Sequence, residues 1–298
     1  MSAVASSAPA AARPPRRRKT SARRRRATIG WNILGLLLSV FIAFPVYWLL
    51  LTSIEPTRFV QSGSPNFLPK AFSLSSYSEV FHDPVFSQDL VNSLIITASC
   101  VLFSLLIGFF AALALARFRF RGKSLAIIIV MGVQMVPLIA LLFPLNDVLA
   151  KAGLGDTALG AIIAYVAFTA PFTVWTLRTF IANVPRDLDE AALVDGCTRF
   201  QTFYKIILPL TLPGLVATGV FGWIQAWNEF LMANILLTDN SKQTVQLYLV
   251  SFGNSPTHGA DWGGLMAAST MVSLPVIILF LVFQRWMAAG MTAGAVKG

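Results

Sequence analysis

The chain has little charge and few residues that bind metals or form disulfides. Only 12% of its 298 residues are Asp, Glu, Lys or Arg, about half the share in an average soluble domain. Its two cysteines, Cys100 and Cys197, provide neither a disulfide framework nor the spacing of a zinc site. Its two histidines, His82 and His258, lie far apart in sequence. We therefore expect no metal, no cofactor and no disulfide-stabilised scaffold.

The chain also lacks the motifs of an enzyme or of an ion-driven carrier. It has no Gly-x-x-x-x-Gly-Lys-Ser/Thr phosphate loop, so we do not expect it to hydrolyse ATP. No series of acids and bases runs through its apolar segments, as an ion-coupled carrier would need. Asp187, Asp189 and Asp195 do not form the repeated pairs that bind magnesium and a diphosphate. An ion-coupled carrier and a polytopic membrane enzyme remain as alternative hypotheses.

Long apolar runs dominate the rest of the chain. Hydrophobic residues make up 56% of the sequence, and its mean hydropathy is +0.69. Each run has the roughly 20 residues with which a helix crosses about 30 Å of hydrocarbon, and none shows the alternation of a membrane β-strand. The sequence thus predicts an all-α membrane protein with six transmembrane helices, at Ile29 to Ile54, Leu90 to Ala116, Ser124 to Leu145, Ala158 to Ile181, Ile207 to Leu237, and Gly263 to Trp286.

Basic residues are unevenly distributed and predict the orientation. Nine of the 23 lie between Arg13 and Arg26, so we interpret the net charge of +10 as attraction to a membrane surface and not as nucleic-acid binding. Residues 1–28 are predicted to be a disordered, basic cytoplasmic arm, and residues 29–298 the six-helix domain. With 19 basic residues on one side and four on the other, both termini are predicted to be cytoplasmic.

Within the apolar sequence, one polar segment has the features of an exposed helix. Asn183 is predicted to cap it, Pro185 to lie in its first turn, and Glu190 to complement the positive helix start. Gly196 suits the left-handed position that ends a helix. Thr198 can cap a second helix that leads back into the membrane. The pattern predicts a docking element for a soluble protein.

The apolar runs contain one acid and several tryptophans whose roles stay open. Glu229, in Trp227-Asn228-Glu229-Phe230, either contacts a pathway or partner or is an acid at the membrane interface. Trp175, Trp223 and Trp227 could stack on sugars, although an interfacial aromatic belt is favoured for most of them. Small residues spaced four apart, such as Gly108 and Ala112, predict close helix packing.

The polar segment also carries a family resemblance. Glu190-Ala191-Ala192-Leu193-Val194-Asp195-Gly196, followed by Ile206-Ile207-Leu208-Pro209, resembles the cytoplasmic motif of binding-protein-dependent ABC importer permeases. Cys197 departs from the family, which usually has alanine there. Further similarities indicate the carbohydrate branch and, within it, the maltose-system type of permease with a short tail. They are Asn92-Ser93, Ala116 to Lys123, Trp227 to Phe230, and Gly290 to Gly298.

The resemblance, which covers Ile29 to Gly298, implies a type I ABC importer permease fold and a set of partners. These are a second permease subunit, two ABC ATPase subunits, an extracytoplasmic sugar-binding protein and the lipid bilayer. The chain would form half of the pathway for a di- or oligosaccharide, without being an enzyme. The implied ATPase-coupling residues, in a segment at 183–209, are Glu190, Ala191, Ala192, Asp195, Gly196, Ile206, Leu208 and Pro209. Contacts with the pathway or with a partner are implied for Trp227, Asn228 and Glu229. In the cytoplasmic tail at 287–298, the implied site residues are Thr292, Gly294 and Lys297.

Overall fold

The computed structural model describes residues 21–60, 67–254 and 261–295, which form helices and no strand. The prediction of an all-α protein is confirmed. A π-turn covers Phe203–Ile207 and a 3₁₀ turn covers Asn240–Lys242. The α-helices are α1 Ser21–Ile54, α2 Thr57–Val60, α3 Ser75–His82, α4 Pro84–Arg117, α5 Lys123–Met135, α6 Leu138–Lys151, α7 Ala158–Asn183, α8 Asp187–Val194, α9 Arg199–Thr202, α10 Leu208–Trp227, α11 Leu231–Leu236, α12 Val245–Asn254 and α13 Trp262–Ala295.

Five helical segments among the described residues are long and apolar enough to cross a membrane, and a sixth crossing requires α5 and α6 together. These two helices meet at a bend of 101°, so the expected continuous helix from Ser124 to Leu145 is wrong. Val136 precedes Pro137, and the proline ring disfavours helical backbone at the residue before it. Val136 is accordingly extended, with ψ of 124°.

The predicted helix from Ile207 to Leu237 is also interrupted. α10 ends at Trp227, and the separate helix α11 begins at Leu231. The apolar run is longer than one membrane crossing needs, so its last part forms another element.

The first and last described helices extend into the segments predicted as arm and tail. α1 begins at Ser21, before the boundary placed at residue 28, because alanine and arginine favour helix. Residues 1–20 of the predicted arm lie outside the described residues. At the other end, α13 continues through the predicted tail to Ala295. Thr292 and Gly294 are therefore in a helix, and Lys297 lies outside the described residues.

The chain divides after Leu49 into two compact units. In the first unit, the apolar part of α1 has exposed side chains from Trp31 to Phe44. A helix that is apolar on all sides suits a lipid environment.

In the second unit, α4 and α7 pack along much of their length, with α10 and α13 beside them. The two helices approach closely at Gly108 on α4, where an added Cβ would lie 2.5 Å from Cγ2 of Thr173 on α7. Ala112, one turn further along α4, is fully buried. The predicted close packing of small residues is confirmed for this pair of helices.

Candidate functional site

α8 is a two-turn helix whose first turn is acidic. Asp187, Asp189 and Glu190 all lie in that turn, where negative charge is favourable. The prediction that Asn183 caps this helix is wrong, because Asn183 is the last residue of α7. Val184 precedes a proline and is extended, which ends α7 and separates it from α8.

Glycine and threonine define the turn after α8, as predicted. Gly196 has a φ of +81°, in the left-handed region. The N–H of Cys197 donates to the Ala192 carbonyl at 2.9 Å, and that of Gly196 donates to the Leu193 carbonyl at 3.2 Å. These two bonds form a Schellman motif, which satisfies the last carbonyls of α8.

A capping box then begins α9. The Thr198 hydroxyl accepts a hydrogen bond from the Gln201 N–H, and the Gln201 side chain accepts one from the Thr198 N–H. The helical backbone continues through the π-turn, where the Leu208 N–H bonds back to the Phe203 carbonyl. Pro209 has no N–H to donate to the carbonyl of Lys205, so the regular α-helical pattern of backbone hydrogen bonds is interrupted here. We call residues 187–202 the α8–α9 segment.

The α8–α9 segment exposes both apolar and acidic side chains. Val194 is 87% exposed, Phe200 71% and Leu193 48%. Glu190 and Asp195 are exposed near these apolar residues. An exposed apolar surface with charged residues around it is typical of a protein-binding surface. Sequence reasoning missed Val194 and Phe200, although the succession of exposed polar and apolar residues was a usable signal.

The other predicted coupling residues differ in their exposure. Ala191 is exposed, but Ala192 is only 4% exposed and packs within the chain. Ile206 is partly buried, and Leu208 packs against the cluster that contains Leu177. Pro209 is exposed at the start of α10.

A second feature is a cavity of about 460 Å³ at the bend between α5 and α6. Its walls come from α5, α6, α7, α10 and α11 and are mostly apolar, with the amides of Gln134 and Gln225 as polar groups. A largely apolar wall with a few polar groups is typical of small-molecule sites of this size.

The predicted pathway residues lie where α10 ends, and they differ in burial. Trp227 is 3% exposed, and its Nε1–H donates to the Val272 carbonyl at 3.2 Å. The belt interpretation is wrong for this residue, because packing against α13 buries it. Trp223 stacks on it with ring centroids 5.9 Å apart. Asn228 is exposed and bonds the Ile224 carbonyl of its own helix.

Glu229 caps α11. Its two carboxylate oxygens accept hydrogen bonds from the N–H groups of Met232 at 2.8 Å and Ala233 at 3.1 Å. Met232 and Ala233 are buried, so these donors depend on a partner within the protein.

The segment after α11 is tied to two other elements. Asp156 accepts hydrogen bonds from the N–H groups of Thr238 and Asp239, at 2.9 and 3.2 Å. The side chain of Asn92 on α4 donates to the Ser241 carbonyl at 3.1 Å. Hydrogen bonds from the Ser241 backbone and hydroxyl, together with Lys242, lower the pKa of Asp239 to about 2. This segment is therefore more than a solvated connector.

Comparison with known proteins shows to which family the chain belongs. Residues 104–293 match the family described as "Binding-protein-dependent transport system inner membrane component". The chain belongs to this family. It is therefore a multi-pass inner membrane component, and the resemblance predicted from the α8–α9 motif is confirmed.

Curated relatives of this permease match over nearly their whole length. The diacetylchitobiose uptake system permease protein DasC of Streptomyces coelicolor is 38% identical over 90% of this chain and 96% of its own. The trehalose transport system permease protein SugB of Mycobacterium tuberculosis is 35% identical over 90% and 97%. The trehalose/maltose transport system permease protein MalG of Thermococcus litoralis is 37% identical over 88% and 94%. The predicted carbohydrate branch is confirmed by these relatives.

A solved structure shows the same fold. A chain of a bacterial ABC transporter for import of the acidic polysaccharide alginate matches the permease with a TM-score of 0.76 and 24% identity, covering 89% of this chain and 98% of that one. The expected importer-permease fold is confirmed.

Proposed function

We propose that this permease forms half of the transmembrane pathway of an ATP-driven importer for a di- or oligosaccharide. In this proposal the α8–α9 segment binds a cytoplasmic ATPase subunit, which hydrolyses ATP while the permease itself has no catalytic role. The observation that carries the proposal is the exposure of Glu190, Val194 and Phe200 within this short segment.

The local structure of the α8–α9 segment suits docking. The Schellman turn at Gly196 and the capping box at Thr198 satisfy backbone groups on both sides of the turn. The segment is therefore held in one conformation before a partner binds, which reduces the entropy lost on association. Val194 and Phe200 supply apolar area, and the Glu190 carboxylate can pair with a basic residue of the ATPase.

The cavity at the α5–α6 bend is the candidate for the pathway. Gln134 and Gln225 offer amide donors and acceptors to sugar hydroxyls, and the apolar wall suits the carbon faces of a sugar ring. A di- or oligosaccharide fits the proposal because relatives at 35 to 38% identity are named for diacetylchitobiose and trehalose.

The proposal includes an orientation and further partners. Both termini and the α8–α9 segment are placed in the cytoplasm because 19 of 23 basic residues then lie inside. Six crossings agree with this orientation if α5 and α6 together form one. A second permease subunit would complete the pathway, a second ATPase subunit would serve it, and an extracytoplasmic sugar-binding protein would deliver the substrate.

Retention of the ATPase by the purified permease tests the proposal. With the permease tagged and all subunits of its transporter co-expressed, Glu190→Ala is expected to lower the retained ATPase about tenfold, since it removes a charge-assisted contact. Glu79→Ala is the matched control, because Glu79 is also an exposed acid but lies on α3, outside the α8–α9 segment. Wild-type ATPase retention by Glu190→Ala would contradict the docking role. Because the ATPase is cytoplasmic, the same experiment tests the orientation.

A further inference from the structure

Two arginine contacts join α8 to the carboxyl-terminal end of α4. Arg117, the last residue of α4, places Nε 3.3 Å from Oδ2 of Asp189 on α8. Arg186, just before α8, donates from Nη2 to the Ala116 carbonyl at 3.3 Å. That carbonyl is among the last four of α4, which lack partners in their own helix and attract cations.

The ion pair is well shielded from solvent. The Arg117 side chain is 9% exposed and the Asp189 side chain 23%. A guanidinium stays charged in a protein, so burial of Arg117 requires a counter-charge close by. By contrast, the pair between Lys151 and Asp147 has side chains that are 75% and 60% exposed. A pair so exposed contributes little to stability.

The ion pair borders a small cavity. A cavity of about 180 Å³ lies between the end of α4, α8, α9 and the π-turn, and Arg117, Asp189 and Arg199 line it. Among the described residues, Nε and Nη2 of Arg117 and Oδ1 of Asp189 have no hydrogen-bond partner, so the contact between Nε and Oδ2 is an ion pair without a hydrogen bond. The cavity leaves space beside the ion pair, while Ala192 of α8 is buried within the chain.

From α4 the contact continues into the helix bundle. α4 packs against α7, with a close contact where Gly108 meets Thr173. α7 in turn lines the larger cavity with Ala164, Phe168 and Phe172. A continuous series of contacts thus leads from α8 through α4 and α7 to the candidate pathway, as energetic coupling between two sites can use.

We infer that Arg117 is a positioning residue that couples α8 to the α4–α7 pair, so that displacement of α8 by the ATPase moves the helices around the candidate pathway. This inference rests on the proposed docking of the α8–α9 segment. The competing account is that the covalent link from α7 to α8, at residues 184–186, is sufficient. In that case the ion pair only stabilises the fold, and its loss leaves coupling unchanged.

The test is the amount of sugar taken up per ATP hydrolysed, measured with the complete transporter in proteoliposomes. Trehalose and diacetylchitobiose serve as probes. Arg117→Gln keeps much of the side-chain length but removes the charge. We expect it to lower this ratio about three- to tenfold, which lies within the range of roughly 2- to 30-fold for residues on a coupling route, while the ATPase subunit stays bound.

Two controls separate coupling from general damage. Arg119→Gln, at an exposed arginine two residues along, and Lys151→Gln, at the exposed ion pair, are expected to keep the wild-type ratio. Arg117→Asp combined with Asp189→Arg re-forms the pair with the charges exchanged. We expect the exchange to restore the ratio to within about twofold of wild type, whereas each single reversal lowers it.

Each outcome of these uptake measurements either supports or overturns the inference. A wild-type ratio in Arg117→Gln overturns it, and so does loss of the ATPase subunit, because Arg117 would then belong to the docking surface. If the Arg117→Gln permease does not fold or insert into the membrane, the charge exchange decides: recovery of the ratio supports the inference and no recovery overturns it. Failure of the proposed function would appear differently, as a wild-type transporter whose uptake does not depend on ATP hydrolysis.

Discussion

Valine in place of Gly196 is expected to lower ATP-driven uptake at least tenfold while the permease still inserts into the membrane. Gly196 has a φ of +81°, where an L-residue costs about 1–2 kcal/mol and a β-branched residue more. An added Cβ would meet nothing within 4 Å. The cost is therefore backbone strain and not a clash, and relief of that strain would change the direction of α8 relative to α9.

The matched control for this substitution is Gly153→Val. Gly153 also has a positive φ, of +74°, and open space around its Cβ, but it lies after α6 and far along the chain from α8. Uptake and ATPase retention are measured for both variants. If backbone strain alone were responsible, both would lose uptake, whereas a specific role of the turn after α8 predicts a loss only in Gly196→Val. Asparagine tolerates left-handed backbone, so Gly196→Asn should keep most of the uptake. Normal uptake by Gly196→Val would show that the turn does not set the docking geometry.

Loss of the Glu229 carboxylate is expected to destabilise the part of the permease around α11. Glu229→Ala leaves the N–H groups of Met232 and Ala233 without their acceptors. Each buried donor without a partner costs about 1–3 kcal/mol, so we expect the free energy of unfolding to fall by roughly 2–4 kcal/mol in total. Glu229→Gln keeps one oxygen acceptor and should lose about half as much.

Asn228→Ala is the neighbouring control, because Asn228 is exposed and its side chain bonds only within α10 among the described contacts. Unfolding of the purified permease in detergent can be followed by tryptophan fluorescence, since Trp227 lies beside the site. Equal stability of Glu229→Ala and Asn228→Ala would mean that the carboxylate is not the cap that holds α11.

Local signals in the sequence were sufficient to predict most of the α8–α9 segment. The acids before Ala191, Gly196 at the turn and Thr198 as a cap each act within a few residues of their own position. The cap assigned to Asn183 failed because the restriction that Pro185 imposes on Val184 ended α7 first.

Features set by contacts distant in sequence could not be predicted in the same way. Pro137 disfavours helical backbone at Val136, but hydropathy alone contains no information about a 101° change in direction. A tryptophan at position 227 is as compatible with a membrane interface as with a protein core. Only its hydrogen bond to the Val272 carbonyl and its packing against α13 show that it lies in the core. Likewise, Arg117 could pair with any nearby acid until the position of α8 relative to α4 is known.

The measurement that tests the central claim most directly is uptake into proteoliposomes, first with this permease alone and then with the complete transporter. The complete set contains two permease subunits, two ATPase subunits and the sugar-binding protein. We expect it to concentrate trehalose or diacetylchitobiose, with ATP hydrolysis stimulated by the loaded binding protein. The permease alone should concentrate neither sugar under ATP, a proton gradient or a sodium gradient. Concentration of a sugar by the isolated permease across an ion gradient would contradict the account and favour an ion-coupled carrier.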